Sequence, residues 1–256
     1  MIVTAALAAL LIGAPTNSDW HAAHISALTL ARQVDARLNN LSSTKFHGYF
    51  QYTGEIGRGF CGAEAEVKNS HVFKIVYPTV GKKEDDGIRW RKWVSNGQVI
   101  LTQSELRHNQ FDKQPYTTRF PGNRSLPSTV LRSWFDDFTH CVLSGIGSQN
   151  KPLSEFVKAA SKAGLKVSCQ EKVVSIQGHK LPYNQILVTN GISAKKPGGL
   201  LYEVVIQSQF MLPTSIDNIR MQGNRLYQSS LTQCDWDVSR NQSFPEADFK
   251  PDPKLG

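Results

Sequence analysis

The sequence predicts a mainly β, α+β chain: an antiparallel sheet of about eleven strands, preceded by one helix and interrupted by two more. Three observations predict it. Period-two alternation begins at Lys45 and returns repeatedly to the C-terminal region. The alternating runs are joined by short Gly, Asn and Pro turns rather than by helical crossovers, which excludes βαβ units. Helical periodicity is confined to residues 22–43, 128–145 and 153–164.

The elements follow in order. Residues 2–14, IVTAALAALLIGA, form an apolar run of secretory length, closed by Pro15 and the polar Thr16, Asn17, Ser18 and Asp19. The run is too short to span a bilayer, so residues 1–18 are expected to be an export signal and 19–256 one domain. A buried N-terminal helix is the competing reading. In 22–43, Ile25, Leu28, Ala31, Val34, Leu38 and Leu41 make an apolar stripe, with Arg32, Asp35 and Arg37 at polar positions. Phe46, Gly48, Phe50 and Tyr52 then alternate with polar residues, and Gly54, Gly57 and Gly59 are expected to mark a turn. Cys61 to Val67, then Phe73, Ile75 and Tyr77 up to Pro78, form the next two strands. Ile88–Val94 and Gln98–Thr102 flank the Ser95-Asn96-Gly97 turn. Pro115, Pro121 and Pro127 frame a loop, and Ser128 suits a helix cap. That helix carries Trp134, Phe135, Phe138 and Val142; a shorter one, from Leu153, ends at Gly164. Strands are expected again at 165–176, 181–190, 200–211, 215–221 and 226–238.

The 256 residues carry 29 Lys and Arg against 21 Asp and Glu, a formal charge of +8. The basic residues are scattered, so nucleic acid is not an expected partner, while contact with an anionic membrane surface fits the sign. Cys61, Cys141, Cys169 and Cys234 show no CxxC spacing. In an oxidising compartment they would form up to two disulfides of undetermined pairing; buried thiols are the alternative.

No catalytic motif stands. Gly57-Arg58-Gly59-Phe60-Cys61-Gly62 matches GxGxxG, but a strand rather than a helix follows, so no dinucleotide site is expected. His21 and His24, at HxxH spacing where the first helix begins, are expected to share a helix face, yet lack the third ligand a metal needs. Asp136 and Asp137 are adjacent and diverge on a helix. No cofactor and no enzymatic activity are therefore expected; an unrecognised secreted hydrolase is the competing enzyme reading. What remains is aromatic and apolar provision. Phe46, Phe50, Phe73, Ile75, Tyr77, Trp90 and Val94 on strands, with Trp134, Phe135 and Phe138 as a helical lid, are expected to line one apolar cavity. A curled sheet this wide encloses more space than its own side chains fill.

The order of elements resembles the LolA-like family of periplasmic lipoprotein carriers over roughly residues 22–253. The residues that carry the likeness are the first helix running into Lys45-Phe46-His47-Gly48-Tyr49-Phe50, and the strand pair 59–77 ending in Tyr77-Pro78. They also include Val94-Ser95-Asn96-Gly97-Gln98-Val99, where Asn96 stands for the family's usual Asp, and the helical insertion 128–164. Phe210-Met211-Leu212-Pro213-Thr214-Ser215-Ile216 and the tail Phe244–Phe249 complete the set. The resemblance implies an unclosed antiparallel β-barrel whose helices cover an apolar cavity. It also implies a periplasmic carrier or sensor that binds the acyl chains of a lipid or lipoprotein without chemistry. An envelope protein-interaction module with a filled core is the alternative.

Overall fold

A computed structural model describes residues 20–41, 44–54, 57–67, 72–80, 88–96, 99–107, 110–111, 116–119, 137–143, 145–146, 150–190, 199–222 and 225–237. The strands are β1 (His21–Ala22), β2 (Thr44–Gly54), β3 (Gly57–Val67), β4 (Val72–Val80), β5 (Ile88–Asn96), β6 (Val99–Arg107), β7 (Gln110–Phe111) and β8 (Tyr116–Arg119). After the helical insertion come β9 (Lys166–Ile176), β10 (His179–Thr189), β11 (Leu200–Gln207), β12 (Leu212–Gln222) and β13 (Arg225–Asp237). The helices are α1 (Ala27–Asn39), α2 (Asp137–Leu143) and α3 (Pro152–Lys162).

All thirteen strands belong to one antiparallel sheet, in the order β1-β9-β10-β11-β12-β13-β2-β3-β4-β5-β6-β7, with β8 also pairing β6. The two ends do not meet, so the barrel is unclosed. Two meanders, β2–β8 and β9–β13, are joined where β13 pairs β2 without a register shift from Gln228↔Gly54 to Asp237↔Lys45. Thirteen strands stand against the expected eleven or so; β1, β7 and β8, each of two to four residues, are ones the alternating pattern did not mark.

Local chemistry explains most boundaries. Ser26 caps α1: its hydroxyl accepts from Thr29 N–H at 3.2 Å. The helix therefore starts at Ala27, not near residue 22, because His21 and Ala22 are committed to β1 against β9. Helix α3 opens on Pro152 at its first turn and closes in a Schellman arrangement. There Gly164 takes φ +77°, while Gly164 N–H donates to Ser161 and Leu165 N–H to Ala160. Gln177 and Gly178, both with positive φ, make the two-residue β9–β10 turn. The ladder runs through Gly57 and Gly59, which the sequence places in a turn, and past Pro78, which pairs with Trp90 inside β4. Residues 128–136 of the expected second helix lie outside the described residues.

The helices pack on one face of the C-terminal meander. α1 lies against β9, β10 and β12, α2 against β12, and α3 against β9 and α1. The core between them joins Leu30, Val34, Leu38, Val142, Leu143, Leu153 and Val157 to Ile186, Val188, Val204, Ile206, Leu212 and Ile216. At about 1.5–3 kcal/mol for each large side chain buried, this cluster is the main stabilising mass of the described fold. Tyr183, Gln185 and Val205, on the opposite face of the same strands, are buried as well.

Candidate functional site

The helix-bearing face can be followed across the sheet from register alone, because directly paired residues share a face. One row runs Cys169, Ile186, Val204, Ile216, Thr232, Phe50, Cys61. Another runs Trp236, Phe46, Ala65, Ile75, Trp93. The face that is core in the C-terminal meander is thus continuous with positions 46, 50, 73, 75 and 77 of the N-terminal meander. The side chains of Phe46, Phe50, Phe73, Ile75, Tyr77 and Trp90 lie outside the described ones. Trp134 and Phe135 lie outside the described residues altogether.

In the ladder, Val94 pairs with Lys74 and Trp90 with Pro78, so these two positions alternate with position 93, which pairs with Ile75. Val94 is 4% exposed. The physical reason is parity. Period two places residues within a strand, but the pairing across residues 81–87 decides which set of β5 joins which set of β4. Position 93 is the one that pairs with Ile75.

Phe138 is a core residue. Its ring centroid lies 4.8 Å from Phe156 and 4.7 Å from Tyr202, and those two rings meet edge-on at 5.1 Å. Next to it, Thr139 Oγ1 lies 3.2 Å from Thr232 Oγ1, a buried hydrogen bond that fixes α2 on β13. The helix therefore meets the sheet through a filled aromatic cluster.

One buried polar residue organises the helices. Asp35 of α1 is 1% exposed and accepts from the N–H groups of Leu153 at 3.0 Å and Ser154 at 2.9 Å. These are open donors of the first turn of α3, whose own cap position, Lys151, supplies no side-chain hydrogen bond. Burial raises the Asp35 carboxyl above its ordinary value of 3.8, against the opposing pull of the Ser154 and Leu153 donors. By residue type, Asp35 is expected among the polar positions of the helix. A signal was present: Asp35 is four residues after Ala31 and one after Val34, on the apolar stripe itself.

The cysteines do not form the expected bridges among the described side chains. No disulfide joins Cys141, Cys169 and Cys234. Cys169 on β9 and Cys234 on β13 are four strand spacings apart, roughly 19 Å along the sheet at about 4.8 Å per strand, against a bridging limit near 7 Å. Cys141 Sγ donates instead to the Pro152 carbonyl at 3.7 Å. Burial pushes the Cys141 and Cys169 thiols up to about 11, and that of Cys234 higher still, which removes nucleophilic character. The side chain of Cys61 is outside the described ones.

Elsewhere the chemistry is sparse. Among the described residues no three His, Cys, Asp or Glu side chains gather as metal ligands. His21 lies in β1 and His24 before α1, so the pair does not share a helix face; His24 Nε2 sits 3.7 Å from Glu171 Oε1. Glu203, on the helix-free face, accepts from Gln185 Nε2; burial raises its carboxyl, and the Gln185 bond and the Lys172 charge pull it down. No described helix is long and apolar enough to cross a membrane. The arrangement offers an apolar sheet face and packed helices.

No family model matches the chain, and no curated protein does. Among solved structures it is similar to a LolA superfamily protein from Nitrosomonas europaea, at 9% identity and TM-score 0.32, covering 89% of this chain and 98% of that one. A putative outer membrane lipoprotein-sorting protein domain from Vibrio parahaemolyticus aligns at 11% identity and TM-score 0.31, over 87% of this chain and 95% of that one. The Pseudomonas aeruginosa MucA/MucB complex aligns at 11% identity and TM-score 0.28, over 89% of this chain but 62% of that one. At such scores these likenesses assign no residue role and no activity.

Proposed function

We propose that the chain is a non-catalytic carrier or sensor that holds acyl chains of a lipid or lipoprotein against the apolar face of β2–β4. One observation carries the reading. The helix-bearing face continues without a break from the core strands through Phe46, Ala65, Ile75 and Trp93, beyond the strands on which α1, α2 and α3 pack. A surface of that composition is stabilised by covering it with apolar matter, at about 0.8 kcal/mol for each buried CH₂. Export directed by residues 2–14 would place it in the periplasm, where a basic chain also meets anionic membrane surfaces.

A fluorescent fatty acid titrated against the unchanged chain should bind saturably. Ile75→Glu should abolish that binding, because position 75 is on the proposed seat. Lys74→Gln, on the opposite face, should retain it. The second reading, an envelope interaction module that binds only protein, is favoured by the filled cluster of Phe138, Phe156 and Tyr202. Absence of saturable fatty-acid binding would leave that module as the better reading.

A further inference from the structure

The exposed large hydrophobic side chains among the described ones, Val173 at 61% and Phe210 at 38%, lie at the same end of the sheet. The β9–β10 hairpin projects there. Its pairing runs on to Ile176↔His179, whereas the pairing of β10 with β11 stops at Tyr183↔Gln207. From Tyr183 to His179 the strand advances roughly 13 Å at about 3.3 Å per residue. Ser208 N–H donates to the Pro182 carbonyl at 3.0 Å, which sets the turn carrying Phe210 against the base of the projection.

The projection is apolar on both faces. Val173 and Pro182 pair on the helix-bearing face, and both are exposed. Val174 and Leu181 pair on the other face, where with Ile176 they are half-buried. A strand that covers a core needs only one apolar face. Two, on a hairpin end this exposed, suit an apolar surround. The charge is of one sign. Residues 172–182 and 204–216 contain Lys172 and Lys180 and no Asp or Glu. Lys180 is exposed and shares the face of Pro182. The carboxylates that border this end face His or Lys: Glu171 lies 3.7 Å from His24, while Asp235 and Asp237 pair in register with His47 and Lys45.

We propose that the end of the β9–β10 hairpin and the turn carrying Phe210 dock the chain on an anionic lipid surface. Val173 and Phe210 enter the boundary between headgroups and acyl chains, and Lys180 stays among the headgroups. A bilayer surrounds both apolar faces of the projection, whereas a protein packed on one face would leave the other in water. This surface is separate from the seat on β2–β4 and does not depend on it.

Sedimentation of the 256-residue chain with vesicles of equal parts phosphatidylglycerol and phosphatidylcholine reads the docking. The unchanged chain should partition onto them, and more weakly onto pure phosphatidylcholine, with the difference shrinking in high salt. Phe210→Ser should weaken partitioning by about tenfold, and Val173→Ser by a smaller factor. Lys180→Gln should weaken it about fivefold, on the anionic vesicles alone. Lys166→Gln removes the same charge at the opposite end of β9 and should change little. Urea midpoints equal to that of the unchanged chain show that the variants are folded. Phe210→Ser should also bind fatty acid as the unchanged chain does, so docking and the seat are read apart. Attachment through the apolar run 2–14 would ignore Phe210→Ser, and attachment by net charge would make Lys166→Gln match Lys180→Gln; either result overturns the proposal. So does an unchanged chain that fails to sediment with the anionic vesicles, which would leave the exposed patch to a protein partner.

Discussion

The two meanders share one sheet and one alternating pattern, yet the described helices pack mainly on one of them. Over β9–β12 the inward positions Ile186, Val204 and Ile216 meet Leu30, Val34 and Leu38 of α1 in a closed core. Over β3–β5 the equivalent positions, Ala65, Ile75 and Trp93, continue the same face with no described helix as their main contact. Helices α2 and α3 precede β9 directly and fold back on the meander they lead into. α1 does not follow that rule. It leads into β2 but packs on β9, β10 and β12, held there by Asp35 at the start of α3. Alternation shows which side of a strand is apolar; the connections and one buried carboxylate decide what covers it.

The largest effect that would break this contrast is a stability difference between the meanders. Leu38 is fully buried under the helices, so Leu38→Ala should cost about 3–5 kcal/mol. Ile75→Ala, on the face proposed to seat a ligand, should cost roughly half of that in the ligand-free chain, because fewer packed neighbours are lost. Urea denaturation of both variants measures it. Equal losses would mean that the N-terminal meander is packed as tightly as the C-terminal one, and the ligand seat would go.

A smaller effect isolates the device that holds α1 on the C-terminal side. Asp35→Asn replaces one of two acceptor oxygens by a donor facing the N–H groups of α3, and should cost about 1–2 kcal/mol. The pH dependence has a definite sign. The folded carboxyl titrates above its ordinary 3.8, so between the two values the folded chain holds more protons than the unfolded chain. Its contribution is full below the unfolded value and is lost as pH rises through the folded one. Asp35→Asn should remove that falling component from the stability profile. An unchanged profile would show that Asp35 does not titrate against folding.

The same contrast marks where the sequence could be read. β9, β10, β12 and β13 lie within three residues of their expected ends, because Gly164, Gln177-Gly178 and the Leu212-Pro213 entry punctuate them chemically. β11 ends at Gln207 rather than 211, where Met211 at φ +53° closes a turn that alternation does not announce. β1 escaped notice because two residues carry no period. The register of Trp90 and Val94 against β4 was not legible, because no sequence rule fixes pairing across residues 81–87. Asp35 was read by residue type rather than by position, and type failed where a carboxylate caps a neighbouring helix. That Phe46 and Phe50 share one strand face, and Phe73, Ile75 and Tyr77 another, was legible; how those strands register and what covers them was not, since both depend on contacts distant in sequence.

The smallest expected effect tests whether the stability of the C-terminal meander resides on its helix-bearing face. Lys172 lies on the other face of β9, opposite Tyr183 and above the Trp20 ring at 4.4 Å. It contributes a cation–π contact, worth about 0.5–1 kcal/mol at a partly exposed site, and a charge that lowers the Glu203 carboxyl against its burial. Lys172→Met keeps the apolar stem and removes the charge. Stability should fall by no more than about 1 kcal/mol, well below the loss at Leu38, while the Glu203 carboxyl should titrate higher than in the unchanged chain. Following that carboxyl by NMR alongside urea denaturation separates the two consequences. A loss comparable with Leu38→Ala would mean that Tyr183, Gln185, Val205 and Glu203 form a second stabilising layer. The C-terminal meander would then owe its stability to both of its faces rather than to the helix-bearing one alone.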